Sequence, residues 1–345
     1  MLPPDTPFES FLEPDATDPG ERAKPEDIDD FVAQLKEVAD KLTTDGATRG
    51  DAKLLVSATK ELRHCFRVFA RYRGTRKVTM FGSARTKPDH PAYRSAVAFG
   101  RAMADAGWMV ITGAAAGIME AGHVGAGRDK SFGLNILLPF ESGANAVITG
   151  DPKLMNLRYF FTRKLAFLKE SDAVVLFPGG FGTHDELFET LTLIQTGKSH
   201  VFPIVLVDEP GGTYWHGFQK FVETDFLARG YIGRQDLSLY RITDSVEDAV
   251  EEVRRFYRVY HSMRYVRGEL VLRLTAPVSD STLATVRAEF ADILGGGTFA
   301  PSAALPEEAN EPALAGLPRL RFRFNKHDHG RLRELIDALN GAAGA

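Results

Sequence analysis

Residues 178–186, Pro-Gly-Gly-Phe-Gly-Thr-His-Asp-Glu, combine a glycine-rich turn with a carboxylate at the start of a helical pattern. The apolar run 173–177 precedes them and predicts a buried strand. Glycine lets backbone N–H groups approach a ligand closely, and a helix N-terminus adds unpaired donors and a partial positive charge. The stretch therefore predicts an anion site, and phosphate is the anion that fits it best.

Thr183 and Glu186 have two interpretations, which the sequence alone does not separate. Thr-x-x-Glu is the capping box of a helix that begins at Thr183, in which each side chain accepts a hydrogen bond from the other residue's backbone N–H. In the functional interpretation, the Glu186 carboxylate lies at the mouth of the phosphate site. There it polarises a hydroxyl group or activates water.

Arg163 and Lys164 lie in a helical pattern whose other residues are mostly aromatic or aliphatic, which predicts a largely buried helix. A buried cation without a partner is costly, so at least one of the two is expected to have an anionic partner on the protein or on a ligand. We favour the ligand.

Glycine-bearing turns follow three of the five predicted strands, at Gly82–Arg85, Gly113–Gly117 and Gly179–Gly182. Strands alternate with helices from residue 77 onward, which is typical of a parallel sheet covered on both faces. Ligands of such sheets bind beyond the carboxyl ends of the strands, where these turns converge. None of the turns has the spacing of a dinucleotide fingerprint or a P-loop, so a mononucleotide is the favoured ligand.

The predicted fold is therefore α/β, a Rossmann-like doubly wound parallel sheet with N-terminal helices and a small C-terminal α+β module. The pattern predicts a long loop over 140–154, a helix over 156–169 that carries Arg163, and a closing helix over 244–261. The predicted organisation is a flexible tail at 1–24, a helical extension at 25–72, the nucleotide-binding domain at 73–261 and a βαββα module at 262–345.

Composition excludes several classes of function. A net charge of −4 argues against a general nucleic-acid binder. No apolar run approaches the roughly 18 residues of a membrane span, and the acidic, proline-rich N-terminus is unlike a signal peptide, so a cytoplasmic protein is expected. The single cysteine, Cys65, is expected to be a buried small hydrophobe. The histidines lack the spacing of a metal motif, so no metal site is predicted.

The motifs together resemble the Lonely Guy (LOG) family, whose older label is lysine-decarboxylase-like. The family signature Pro-Gly-Gly-x-Gly-Thr-x-x-Glu is present over 178–186, and its upstream Arg-Lys pair is present at 163–164. The stretches 82–85, 117–121 and 195–198 are also similar to the family. The resemblance covers about 77–225, and the flanking segments are similar to those of a longer bacterial subgroup.

The resemblance implies a phosphoribohydrolase, which cleaves the N-glycosidic bond of a nucleoside 5′-monophosphate to free base and ribose 5-phosphate. The implied substrate is AMP-like or a cytokinin riboside monophosphate. The resemblance also implies a homodimer or larger homo-oligomer, and it implies a reaction that requires no cofactor. In this assignment Arg163 and Glu186 are catalytic, and the candidate substrate ligands are Gly82, Ser83, Arg85, Gly113, Gly117, Lys164, Gly179, Gly180, Gly182 and Thr183.

One departure from the family concerns the second turn, where the usual Gly-Gly-Gly-Pro-Gly is replaced by Gly-Ala-Ala-Ala-Gly at 113–117. Three Cβ atoms in this loop are expected to narrow the pocket or to change the accepted base or phosphate. The departure leaves open a second function, that of a non-catalytic carrier or sensor of a nucleotide or phosphorylated cofactor.

Overall fold

The computed structural model describes residues 28–138 and 143–342 of the 345-residue chain. The tail predicted at 1–24 lies outside the described residues. Among the described helices, none has the length and apolar character that a bilayer crossing requires.

A seven-stranded parallel sheet forms the centre of the molecule, with the strand order β4-β3-β2-β1-β5-β6-β7. The order reverses between β1 and β5, which places a topological switch point there. This confirms the predicted doubly wound α/β fold. The strands are β1 (Lys77–Phe81), β2 (Met109–Thr112), β3 (Ser131–Ile136), β4 (Leu154–Leu157), β5 (Ala173–Leu176), β6 (Ile204–Val207) and β7 (Tyr240–Thr243).

Helices cover both faces of this sheet because consecutive strand residues point to opposite sides. In β1, Val78 and Met80 face one apolar core, and Phe81 faces the other. The buried residue Cys65 lies in the second of these cores, as a small hydrophobe. The helices up to the end of the sheet are α1 (Asp29–Lys41), α2 (Arg49–Phe69), α3 (Pro91–Asp105), α4 (Ile118–Ala126), α5 (Phe160–Glu170), α6 (Phe181–Gln195), α7 (Tyr214–Phe221) and α8 (Val246–Phe256).

A smaller antiparallel sheet follows, with the strand order β10-β11-β9-β8. Two helices accompany this sheet, and the second of them packs against α8 and α6, two of the helices that cover the large sheet. The elements are β8 (Tyr260–Val266), β9 (Glu269–Leu274), α9 (Asp280–Glu289), β10 (Ala300–Ser302), β11 (Arg319–Phe322) and α10 (His329–Ala342).

The predicted closing helix over 244–261 is present as α8, but its predicted end is wrong, because α8 ends at Phe256 and β8 begins at Tyr260. Asn340 of α10 produces this break. Its side chain donates to the Phe256 carbonyl at 2.6 Å and accepts from the N–H groups of Val259 and Tyr260. A residue about 80 positions away thus ends the helix, so the module follows a ββαββα order rather than βαββα.

Strands β4 and β7 were also absent from the prediction, which placed a loop over 140–154 and a helix over 156–169. Both are four-residue strands at the two edges of the large sheet. In β4, the exposed Asn156 accepts a hydrogen bond from Asn135 of the neighbouring strand at 2.8 Å. Short, partly polar strands are typical of sheet edges and give a weak hydrophobic signal.

Candidate active site

A cavity of about 1000 Å³ lies beyond the carboxyl ends of the central strands. All three predicted turns contribute to its wall. The predicted site residues that line it are Gly82, Ser83, Arg85, Gly113, Arg163, Gly179, Gly180, Gly182, Thr183 and Glu186. Two predicted residues, Gly117 and Lys164, are not part of this wall.

The glycine turn between β5 and α6 is built differently from a capping box. Helix α6 begins at Phe181, with Gly180 as its N-cap and with no side-chain cap. The prediction that the helix opens at Thr183 is therefore wrong by two residues, and the capping interpretation of Thr183 and Glu186 no longer applies. Because Glu186 lies in the second turn of the helix, its carboxylate is available to the cavity rather than to the helix terminus.

Gly179 is required by close packing. A Cβ atom at this position would lie 2.1 Å from Thr183 Oγ1 and 2.9 Å from the backbone nitrogen of Ser83. Gly180 and Gly182 differ from it, since a Cβ at either position would have no atom within 4 Å. These two glycines therefore border open space in the cavity, while Gly179 holds the first and third turns together.

Glu186 is almost completely buried, with 4% of its surface exposed. Its Oε1 atom lies 4.0 Å from Nη2 of Arg163. Burial raises the pKa of Glu186 to about 7, although the nearby charges of Lys164 and Arg163 lower it. Desolvation of the carboxylate thus outweighs two cations, and near neutral pH this group exists in both protonation states.

Arg163 is fixed by aromatic side chains and by a neighbouring helix. Its guanidinium lies 5.0 Å from the ring centre of Phe160 and 5.7 Å from that of Phe167, both on its own helix α5. Helix α5 has no side-chain N-cap of its own. Glu61 of α2 instead holds the segment that leads into the helix, since it accepts from Arg158 N at 3.0 Å and from Thr162 Oγ1 at 2.7 Å.

The sequence does not reveal the role of Glu61, because it lies about 100 residues before the helix that it contacts. A glutamate in an amphipathic helix gives no local signal for such a contact. The N-terminal extension is therefore connected directly to the segment that positions Arg163.

Lys164 has its anionic partners on the protein. Its Nζ atom lies 2.9 Å from Asp185 Oδ2 and 2.6 Å from Glu189 Oε2. Burial acts to lower the pKa of Lys164, but the hydrogen bonds with Glu189 and Asp185 outweigh it, and the pKa is raised. Lys164 thus stays charged and ties α5 to α6, which also carries Glu186.

The second turn presents a single alanine to the cavity. Ala114 is buried with a φ of 61°, Ala116 is exposed, and Ala115 lies on the cavity wall. Gly117 has a φ of +68°, and a Cβ there would lie 2.3 Å from the Ser83 carbonyl oxygen. Gly117 therefore joins the first and second turns by close backbone contact, and only Ala115 replaces a family glycine at the wall.

The remainder of the wall is largely apolar. It includes Met119, Ile136, Phe160 and Phe167, with the polar side chain of Asn135 among them. The sequence did not single out these residues, because their apolar character also fits an ordinary core. Such a wall suits a planar, poorly charged group such as a nucleobase.

Comparison with known proteins identifies the domain that holds this cavity. Residues 112–253 match the family model described as possible lysine decarboxylase, which is the older label of the LOG family. The complete signature at 178–186 lies within this range. This part of the α/β domain is similar to the LOG family.

A curated relative is similar to only part of the chain. The cytokinin riboside 5′-monophosphate phosphoribohydrolase of Mycobacterium tuberculosis is 35% identical over 88 residues, which are 26% of this chain and 45% of that protein. The chain thus spans less than half the length of this curated relative.

Solved structures align with about half of the chain. The molybdenum cofactor binding protein of Rippkaea orientalis is 18% identical, with 52% of this chain and 96% of that one covered and a TM-score of 0.37. The molybdenum cofactor carrier protein of Chlamydomonas reinhardtii is 17% identical, with 52% and 97% covered and a TM-score of 0.38. TM-scores this low do not support a closer comparison.

Proposed function

We propose that this protein is a nucleoside 5′-monophosphate phosphoribohydrolase, which hydrolyses the N-glycosidic bond to free base and ribose 5-phosphate. The observation that carries the proposal is the buried Glu186, whose pKa is about 7, placed 4.0 Å from Arg163 on the wall of the cavity. The glycine turn provides an anion site in the same cavity. The relative named for phosphoribohydrolysis supports the same reaction class.

The substrate's phosphate is assigned to the glycine turn. Thr183 N and His184 N donate to the Gly180 carbonyl at the start of α6. The N–H groups of Phe181 and Gly182 precede them, in the part of a helix whose donors have no intrahelical acceptor. These donors and the positive end of the helix dipole suit a phosphate dianion.

The nucleobase is assigned to the apolar wall formed by residues such as Met119, Ile136 and Phe160. With the phosphate at the glycine turn, the ribose lies between the two ends of the cavity. Glu186 and Arg163 border this central part, so they are the side chains that reach the glycosidic bond.

In the proposed reaction, the bond between ribose C1′ and the base nitrogen breaks, and its electron pair leaves with the base. The sugar develops oxocarbenium character, which the carboxylate form of Glu186 stabilises. Water attacks C1′, and Glu186 accepts the proton that this water releases. Arg163 supports the negative charge that develops on the departing base. The proton that Glu186 has accepted then passes to the base nitrogen, directly or through water, so neutral base leaves and Glu186 is a carboxylate again.

The proposed substrate class is AMP or a nucleotide of similar shape, with cytokinin riboside monophosphates as the second group. The experiment incubates the purified protein with AMP, GMP, CMP, UMP, IMP and a cytokinin riboside monophosphate, and separates free base by chromatography. Release of base from at least one nucleotide is expected. Tight binding of a nucleotide without base release would favour the carrier or sensor function.

We also propose that the active form is a homo-oligomer. Phe160, Phe161 and Leu165 of α5 are each about half exposed beside the cavity. Exposed apolar clusters of this kind are typical of protein interfaces. Light scattering is expected to give a mass of at least two chains, and Phe161→Ser is expected to reduce it.

A further inference from the structure

Two side chains bind the carbonyl groups of the glycine turn, and only one of them, His184, also lines the cavity. Tyr214, at the start of α7, donates its hydroxyl to the Gly179 carbonyl at 2.5 Å. His184, in the first turn of α6, lies with Nδ1 at 3.1 Å from the Gly180 carbonyl and donates to it when Nδ1 carries the proton. The two rings also lie close together, with centroids 5.9 Å apart.

Holding these carbonyl oxygens fixes the direction of the adjacent N–H groups. A trans peptide is planar, so its N–H points opposite to its C=O. The Gly179 carbonyl shares a peptide with the N–H of Gly180, and the Gly180 carbonyl shares one with the N–H of Phe181. The Gly179 carbonyl is bound by Tyr214 of α7, so the Gly180 N–H points away from α7. The Gly180 carbonyl is bound by N–H groups and a ring of α6, so the Phe181 N–H points away from the body of that helix. Gly180 and Phe181 both line the cavity.

Glycine makes this restraint necessary. Gly180 has no Cβ contact that would fix its orientation, so the peptide between Gly179 and Gly180 rotates easily unless its carbonyl is bound. The peptide between Gly180 and Phe181 is already restrained by the first hydrogen bonds of α6. A turn that binds an anion with backbone donors needs these donors oriented before the ligand arrives. The hydroxyl of Tyr214 supplies a fixed donor from a helix whose neighbouring residue, Trp215, is fully buried.

We propose that Tyr214, assisted by His184, is a positioning residue that orients the Gly180 and Phe181 N–H groups toward the phosphate of the substrate. This inference rests on the proposed function, and it assigns the phosphate recognition of that site to a residue outside the signature motif. The contribution of His184 is the smaller one, since the Gly180 carbonyl also accepts from Thr183 N and His184 N.

The test compares Tyr214→Phe with the wild-type protein, because this change removes only the hydroxyl group. We expect the KM for the nucleotide substrate to rise about five- to tenfold, with kcat changed by less than about twofold. The dissociation constant of ribose 5-phosphate, measured by calorimetry, is expected to rise by the same factor. Binding of the corresponding nucleoside, which lacks the phosphate, is expected to stay unchanged.

Tyr240→Phe is the matched control. Its hydroxyl donates to Gln219 of α7 at 2.6 Å and does not contact the glycine turn. This control is expected to leave KM, kcat and ribose 5-phosphate binding at wild-type values. His184→Leu removes the ring nitrogen that contacts the Gly180 carbonyl and fills the space among Tyr214, Trp215 and Phe218 with an apolar side chain. This change is expected to weaken ribose 5-phosphate binding less than Tyr214→Phe does.

Calorimetry separates this inference from the proposed function. If the wild-type protein binds ribose 5-phosphate but cleaves no nucleotide, the proposed reaction fails, and weaker binding by Tyr214→Phe still supports the positioning role. Equal ribose 5-phosphate binding by Tyr214→Phe and wild type overturns the inference, whatever the activity. An equal loss of nucleoside and ribose 5-phosphate binding also overturns it, and so does a wild-type protein that binds no ribose 5-phosphate.

Discussion

At the scale of single residues, Glu186 shows how burial and charge compete at one carboxylate. The side chain is 4% exposed, and removal from water favours its neutral form. Arg163 and Lys164 favour the charged form, yet the pKa rises to about 7. The result is a group that holds a proton more readily than an exposed glutamate and still ionises near neutral pH, which suits proton transfer in hydrolysis.

This raised pKa predicts a pH-dependent difference in stability. The folded-state pKa of about 7 exceeds the ordinary glutamate pKa of 4.5, so the folded state binds more protons between these values. The wild-type protein should therefore lose stability as pH rises from 5 to 8. Glu186→Gln removes this penalty, and its free energy of unfolding relative to wild type should increase by up to about 3 kcal/mol over that range.

Urea denaturation at pH 5 and pH 8 measures this difference. Asp185→Asn is the control, because it changes the adjacent, largely exposed carboxylate of the same helix. Its stability relative to wild type is expected to change much less between the two pH values. A constant difference between Glu186→Gln and wild type would mean that burial does not raise the Glu186 pKa.

A short motif draws attention to candidate site residues where it contains them. Arg163 and Glu186 stand out in local patterns, the resemblance to a family implies their catalytic roles, and the structure places both on the wall of one cavity. Their roles stay predictions. The sequence did not identify Glu61 and Tyr214, which act through backbone groups far away in the chain. A contact between a side chain and a distant carbonyl or N–H group leaves no periodic pattern to detect.

At the scale of elements, the glycine turn has two kinds of glycine with separable roles. Gly180→Ala and Gly182→Ala should keep the fold, since a Cβ at either position meets no atom within 4 Å. The added methyl groups border the cavity, so we expect each change to weaken nucleotide binding about tenfold or more, measured by calorimetry. The free energy of unfolding should change by less than about 1 kcal/mol.

Gly179→Ala should show the opposite result, because its Cβ would lie 2.1 Å from Thr183 Oγ1. A loss of stability of about 2–4 kcal/mol is expected from this overpacking. Gly217→Ala, in α7 and also without atoms near its Cβ, is the neutral control for binding. Normal nucleotide binding by both Gly180→Ala and Gly182→Ala would contradict the assignment of the substrate's phosphate to this turn.

The connection between α2 and α5 gives a second prediction at this scale. Glu61→Ala leaves the Arg158 N–H without its acceptor and loosens the start of the helix that carries Arg163. We expect kcat to fall about tenfold and stability to fall by about 1–2 kcal/mol. Stopped assays of base release and thermal denaturation measure the two effects.

Glu61→Gln keeps an acceptor oxygen and is expected to restore most of the lost turnover. Glu37→Ala, in the exposed helix α1, is the control and should leave both quantities unchanged. If kcat stays at the wild-type value in Glu61→Ala, the contact from the N-terminal extension does not contribute to catalysis.

The strand and helix predictions succeeded where hydrophobic runs are long and failed at edges and breaks. The central strands β1, β2, β3 and β5 were expected near their observed positions because their residues are buried on both faces. The edge strands β4 and β7 lack this signal. The end of α8 depends on Asn340, so no local pattern at 256–260 could have located it.

At the scale of the whole molecule, α10 packs the C-terminal module against the domain that carries the candidate active site. Arg333 of α10 is 1% exposed and forms a buried ion pair with Glu252 of α8. A second contact lies at the N-terminus of α10, where the His329 ring packs against Gly197. The packing is so close that a Cβ atom at Gly197 would lie 2.7 Å from this ring. This second contact reaches the residues just after α6, the helix that carries Glu186.

These contacts predict that the two sheets unfold together. Arg333→Leu breaks a buried ion pair, and Glu252 keeps a 2.6 Å contact with Arg255. We expect a loss of about 2–4 kcal/mol in the free energy of unfolding, with a single transition by circular dichroism and by tryptophan fluorescence. Arg229→Leu removes an exposed pair with Asp225 and should cost less than about 1 kcal/mol. Two separate transitions in the wild type would contradict this coupling.

The most direct test of the account identifies the products that the wild-type protein, Glu186→Gln and Asp185→Asn form from the nucleotide that is cleaved fastest. Free base and ribose 5-phosphate are expected from wild type and Asp185→Asn. In Glu186→Gln we expect turnover to be reduced at least about a hundredfold, with nucleotide binding retained. Release of a nucleoside and phosphate, or full turnover by Glu186→Gln, would contradict the proposed role of this carboxylate.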